Sequence, residues 1–208
     1  MRSGAVTGRR FRQAVRTLLP MTWGGRGTDH PRERLLNIAG ELFYANGIHT
    51  VGVDQLVREA GVTRATFYRH FSSKDGLVVA YLRERDARVK RTVEAITGAH
   101  RGRAALLEII AMVADSVLRP EFRGCGFLNA AAEYPDPQHP VRISVAEHRR
   151  WFRGVLREVV RDTGHPDPDR VARALMVLRD GAMAGGYLDD QNDVARTLRE
   201  AAESILDA

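Results

Sequence analysis

The chain has one cysteine, Cys125, so no internal disulfide framework holds it together. That scarcity fits a reducing compartment, and a cytoplasmic location is expected. Lysine is almost missing as well: Lys74 and Lys90 are the only two, and every other cationic side chain outside the histidines is arginine. No apolar run approaches the roughly 18 residues that a membrane span needs, so no membrane partner is expected. The arginine-rich start lacks a secretory signal's apolar stretch of about 7–15 residues. No CxxC is present, and the histidines at 30, 49, 70, 100, 139, 148 and 165 form no HxxxH pair, so no metal site is expected. Walker loops, GxGxxG and GxSxG are also missing, which leaves no cofactor or nucleophile signature and argues against an enzyme.

What the chain does have is 208 residues that are 44% hydrophobic, enough for a substantial core. Its net charge of +6 is concentrated before Pro31, where Arg2, Arg9, Arg10, Arg12, Arg16 and Arg26 face only Asp29. Residues 1–29 also carry Gly4, Gly8, Gly24, Gly25 and Gly27 and read as a flexible basic arm. Such an arm adds phosphate contacts or enters a minor groove. The competing reading is a solvated tail, or a misassigned start with Met21 as the initiator.

Pro31 suits a first helical turn, and Leu35, Ala39, Leu42 and Phe43 lie on one helical face up to the stop at Asn46-Gly47. Val53, Leu56, Val57 and Ala60 repeat that spacing over a second, short helix begun at Gly52 and ended by Gly61. Thr63 caps a third only two residues later. Two short amphipathic helices joined by a glycine turn of this length make a helix-turn-helix. On the third helix Phe67 and Phe71 point inward, leaving Arg64, Thr66, Tyr68, Arg69 and His70 on the other faces. Arginine forks read guanine edges in a major groove, and threonine, tyrosine, histidine and lysine suit phosphate oxygens. Ser72 or Ser73 caps the next helix, with Lys74 at its positive end.

The run Thr66-Phe67-Tyr68-Arg69-His70-Phe71-Ser72-Ser73-Lys74-Asp75-Gly76-Leu77, with Gly47-Ile48, Val53-Asp54-Gln55-Leu56-Val57 and Ala60-Gly61-Val62-Thr63, resembles the N-terminal domain of the TetR (TetR/AcrR-type) family of bacterial transcriptional regulators. The resemblance spans about residues 31–77. It implies that Arg64, Ala65 and Arg69 face base edges. Thr66, His70 and Lys74 are then phosphate residues, with Thr63 at the cap counted among them, and Tyr68 serves both roles. The chain departs from the family pattern at Val51 and Gly52, where hydroxyl residues are frequent, and at Ala65, where glycine is common.

Beyond the head, apolar spacing predicts a long helix from about Ser73 to Thr97, broken at Gly98 and Gly102, then helices over 103–118, after Cys125, from about Val141 to Asp162, after Asp167-Pro168, and around Val194, Leu198 and Ile205. The expected fold is all-α: a three-helix helix-turn-helix domain at 30–76 and a larger helical ligand-binding and dimerisation domain at 77–208. Pocket candidates, chosen for mixed apolar and polar character, are Met112, Phe127, Asn129, Glu133, Tyr134, His148, Trp151 and Phe152. The resemblance implies that the last two long helices pair with a second copy, with Val171, Ala174, Leu178, Ala182, Gly185, Val194 and Leu198 as candidates. Gly181, Gly185 and Gly186 permit close helix approach.

The leading expectation is a homodimeric repressor that binds a palindromic double-stranded operator and is released by a small-molecule effector. The alternative is a sequence-tolerant, chromosome-organising DNA binder that depends on the basic arm.

Overall fold

The computed structural model describes residues 30–207; the basic arm expected at 1–29 lies outside them. Among the described residues there are nine helices and no strand: α1 Pro31–Asn46, α2 Val53–Glu59, α3 Arg64–His70, α4 Lys74–Ala99, α5 Gly102–Val117, α6 Gly126–Glu133, α7 Pro140–Arg161, α8 Pro168–Leu188 and α9 Gln191–Leu206. The all-α expectation holds. Gly98 does not break the long helix, which runs one residue past it to Ala99; Gly102, whose φ of 49° favours glycine, opens α5 instead.

The described residues form two compact units. One contains residues 30–87 and 126–148, the other 88–125 and 149–207. These units cut the chain differently from the expected 30–76 and 77–208. The reason is that α6 and the start of α7 pack with the helix-turn-helix rather than with the later helices.

In the first unit, α1, α2 and α3 pack together around Leu35, Ala39, Phe43, Leu56 and Phe67, all buried. Pro31 occupies the first turn of α1 behind His30, and Gly47 ends it at φ 87°. The turn between α2 and α3 needs the left-handed backbone at Gly61, φ 61°, a conformation that costs most other residues energy. Arg34 Nε donates to the carbonyl of Ala60 at 3.1 Å, satisfying an acceptor at the end of α2. The first part of α4 contributes Leu77, Val78, Tyr81 and Leu82 to this core. Tyr81 is the largest of these side chains and is fully buried.

In the second unit, α5, α8 and α9 pack on one another. Leu106, Ile109, Ile110, Val113 and Val117 of α5 meet Val171, Leu175 and Met176 of α8 and Ala195, Leu198 and Ala202 of α9. Gly186 lies against Val117 and Phe122, where a β-carbon would clash with Val117 and crowd the Phe122 ring. Asp167 caps α8 through Arg170 N at 2.9 Å, as Asp167-Pro168 predicted, and Asp190 caps α9 through Asn192 N and Asp193 N.

Candidate nucleic-acid interface

The candidate reading surface is built on α3, and its local order starts at Thr63. Thr63 Oγ1 accepts from Thr66 N at 3.1 Å, which satisfies one of the first orphan donors of the helix. Phe67 is fully buried and Phe71 nearly so, with ring centroids 6.0 Å apart. That anchor fixes which side of the seven-residue helix faces out. Arg64, Ala65, Tyr68 and Arg69 are all exposed, and at 3.6 residues per turn they cover an arc of about 140°. Thr63 is exposed as well, while Thr66, His70 and Lys74 are half-buried at its margins. Tyr68 is 53% exposed and packs edge-on against Phe67 at 5.2 Å, so its hydroxyl projects from a fixed ring.

The two candidate base-reading arginines are in different states. Arg64 makes a double hydrogen bond to Asp54 of α2, Nε to Oδ1 and Nη2 to Oδ2, both at 2.6 Å. The Asp54 hydrogen bond raises the guanidinium's pKa. Arg69 has no carboxylate partner among the described residues. An exposed pair of the Arg64–Asp54 kind is worth little against water, so Arg64 can exchange Asp54 for a base edge at small cost.

Lys74 opens α4, whose cap is Ser73: its Oγ accepts from Gly76 N at 3.0 Å. Desolvation lowers the Lys74 pKa, partly offset by Asp75 and Glu133, and Nζ reaches toward the carbonyl of His49 at 3.4 Å. Burial also lowers the pKa of His70, helped by Arg69, His30 and Arg32. His70 Nε2 is enclosed and has no hydrogen-bond partner among the described residues. Val51 is fully buried, so it is a core residue, and Gly52 begins α2 with no side-chain cap.

The pocket candidates do not gather in one unit. Phe127, Asn129, Glu133, Tyr134 and His148 belong to the first; Met112, Trp151 and Phe152 belong to the second. Phe127 stacks on His148 at 3.7 Å with the rings 2° from parallel, and His148 Nδ1 lies 2.8 Å from Asp86 Oδ1. Asn129 is exposed. Met112 is buried, Trp151 is half-buried beneath Lys90, and Phe152 is buried beneath Arg179.

Glu133 and Tyr134 do something the sequence did not suggest. Glu133 Oε1 and Oε2 accept from the backbone N–H groups of Ile48 and His49 at 2.8 and 2.6 Å. Tyr134 donates its hydroxyl to Asp75 Oδ1 at 2.8 Å, and His139 Nε2 lies 3.4 Å from Asp75 Oδ2. The two residues therefore hold the turn after α1 and the start of α4. Sequence separations of 85 and 59 residues leave no local signal for these pairings.

Of the dimer candidates, Val171, Ala182 and Leu198 lie in the chain's own core, and Ala174, Leu178, Gly185 and Val194 are half-exposed. The open face of α8 is instead Val177, Gly181, Ala184 and Leu188.

Residues 35–81 match the model for bacterial regulatory proteins of the tetR family, and residues 102–202 match the tetracyclin repressor-like C-terminal domain. The fold is similar to the crystal structure of SCO4454, a TetR-family transcriptional regulator from Streptomyces coelicolor. That similarity has 44% identity over 85% of this chain and 94% of that one, with a TM-score of 0.83. The HTH-type transcriptional regulator UidR of Escherichia coli is 34% identical over 70 residues, 33% of this chain and 36% of that protein. FasR of Mycolicibacterium smegmatis, an HTH-type transcriptional activator, is 43% identical over 54 residues, 26% of this chain and 25% of that protein. The chain thus spans about a third or less of these two curated relatives. Together with the capped, outward-facing α3, these matches show that the chain belongs to the TetR family of DNA-binding transcriptional regulators.

Proposed function

We propose that the protein is a homodimeric repressor that occupies a palindromic operator through two copies of α3 and leaves it when a small molecule binds among the later helices. The observation that carries the DNA-reading part is the exposed arc of Arg64, Ala65, Tyr68 and Arg69 over the buried Phe67 anchor. A seven-residue helix contacts few base pairs, so a second copy on a half-site about one helical turn away supplies the rest. The open face of α8 supports pairing: Val177 is 73% exposed and Leu188 76%, with Gly181 and Ala184 between them allowing close helix approach. Phe127 and His148 are the retained candidates for effector contact in the first unit, and Met112, Trp151 and Phe152 in the second. The protein then works where operator DNA and effector meet, in the cytoplasm.

The test is selection of bound sequences from a random DNA pool at physiological salt, followed by transcription in vitro from a template bearing the enriched site. An enriched palindrome and reduced transcription support the reading. Enrichment with increased transcription makes the protein an activator. Tight binding without enrichment favours the sequence-tolerant DNA binder, and deletion of residues 1–28 should then remove most of its affinity.

Arg69→Ala should cost roughly 1–3 kcal/mol on the operator and relax preference at one base pair. Arg64→Ala should cost less, because wild-type Arg64 first gives up Asp54; Asp54→Asn should tighten binding. Anisotropy titrations on operator variants and on random duplex decide it, and equal losses on both DNAs would remove Arg69 from base reading. Lys74→Ala should weaken all DNA alike and make the salt slope shallower by about 1. An unchanged slope takes Lys74 out of the phosphate set.

A further inference from the structure

We propose that a groove between α7 and α8 binds a small molecule carrying two or more phosphate or comparable oxyanion groups. The groove has a volume of about 270 Å³ and is lined by Arg150, Arg153, Gly154, Arg157, Asp169 and Arg173. The first four sit at i, i+3, i+4 and i+7 on α7, one face of the helix over about 10 Å. Asp169 and Arg173 are an i, i+4 pair on α8 that faces them.

Several other arginines of the same unit are paired. Arg103, Arg161, Arg170, Arg196 and Arg199 each hold a carboxylate. In the groove only Arg157 does, meeting Glu158 at 3.0 Å and Asp169 at 3.9 Å. Arg150, Arg153 and Arg173 have no partner among the described residues. Three unpaired guanidinium groups converging on one concavity repel one another, and a multivalent anion would relieve that repulsion. Planar guanidinium forks match phosphate oxygens two at a time. At Gly154 a β-carbon would meet nothing within 4 Å, so the groove floor is open where any side chain would begin to fill it.

Shape and charge favour a small ligand over a polymer. The volume lies near the lower end for small-molecule sites, about 300 Å³. Asp169, 62% exposed at the rim, repels a continuous phosphate chain but accepts a hydrogen bond from a ligand hydroxyl or amine. The expected class is therefore a phosphorylated compound that also carries a donor.

The probe is inorganic pyrophosphate on the full-length protein, followed by calorimetric titration and thermal unfolding against sodium chloride at equal ionic strength. The expected result is saturable binding of one pyrophosphate per chain and a rise in Tm of several degrees that chloride does not reproduce. Arg150→Gln/Arg153→Gln/Arg173→Gln should weaken binding at least tenfold, and Gly154→Glu should block it. Arg103→Gln/Arg196→Gln should retain it, as should Arg69→Ala/Lys74→Ala, which removes the anion sites of the head. Several outcomes would overturn the proposal: no saturation, an equal response to chloride, or full binding by the triple variant. So would loss of random-duplex affinity in the triple variant without any pyrophosphate binding, which gives the groove to nucleic acid. A changed solution mass for the triple variant would give it to a second copy.

Discussion

Asp180→Ala is expected to cost about 3–5 kcal/mol of folding stability, more than any substitution on the DNA-reading face. Arg179 is only 9% exposed, and its charge is held by three neighbours. Nη1 donates to Asp180 Oδ1 at 2.8 Å, Nη2 to Cys125 Sγ at 3.2 Å, and the guanidinium lies 5.8 Å from the centre of the Phe152 ring. Arg149 Nη2 donates to the other Asp180 oxygen at 2.5 Å. Two guanidinium groups thus share one carboxylate. Arg149 Nη1 is already buried without an acceptor among the described residues, so the cluster has no spare acceptor to offer. Removing Asp180 leaves a buried cation paired only with a thiol, the case in which breaking an ion pair costs most. Replacing the cation itself, as in Arg179→Met, should cost less, because no charge is then left behind.

The same cluster sets a pH dependence. Burial raises the Asp180 pKa, but hydrogen bonds from Arg149 and Arg179 outweigh it and leave the carboxyl below its ordinary value. Burial alone would lower the Arg179 pKa, but Cys125 and Asp180 more than compensate and raise it. A depressed carboxylate stabilises the fold above its unfolded value, about pH 4, and that contribution is lost as pH falls through the folded value. Urea unfolding at pH 7 and near pH 3 should therefore show a gap between wild type and Asp180→Ala that narrows with acid. A cost below 1 kcal/mol at pH 7, or a gap independent of pH, would mean that the ion pair does not hold the fold together.

The ends of the helices were legible in the sequence because they are set by local chemistry. Pro31 after His30, Gly61, Thr63 and Asp167-Pro168 each act within a few residues, and the structure places helix termini at all of them. The inward face of α3 was legible for the same reason, since Phe67 and Phe71 are one turn apart. Contacts between distant segments were not. Glu133 and Tyr134 have the composition of a pocket wall, and only the folded chain shows them on the turn after α1 and on Asp75. Val171 and Leu198 fit an apolar stripe equally well whether the stripe faces the chain's own core or a second copy. Periodicity reports that a face is covered, not what covers it. The Arg64–Asp54 pair joins two short helices ten residues apart, and no spacing rule distinguishes an arginine held by its neighbour from one left open.

Glu133→Ala should loosen the turn after α1 by about 2 kcal/mol and weaken DNA binding without altering base preference. A carboxylate in the last turn of α6 sits at the negative end of that helix, an unfavourable place on its own. Two charge-assisted bonds from Ile48 N and His49 N offset this, each of a kind worth roughly 1.5–3 kcal/mol. His49 is exposed, so water replaces its bond cheaply; Ile48 is buried, and its N–H loses more. The expected cost therefore falls well below the sum of the two. The His49 ring also meets the Glu133 carbonyl at 2.7 Å and the Tyr134 ring at 4.9 Å, so these backbone and ring contacts outlast the substitution. Lys74 reaches for the His49 carbonyl, and Asp75 holds Tyr134, so the turn and the start of α4 move together. Slack there misplaces a phosphate contact and leaves Arg69 free to read bases. Amide exchange at Ile48 should quicken by about thirtyfold if 2 kcal/mol of local stability is lost. Affinity should fall by a similar factor on the operator and on random duplex, and Glu133→Gln should lie between the two because it keeps an acceptor and loses the charge. Unchanged exchange at Ile48 would show that the turn stands without Glu133. A loss confined to the operator would mean that Glu133 positions the base-reading face of α3 rather than the Lys74 end of the head.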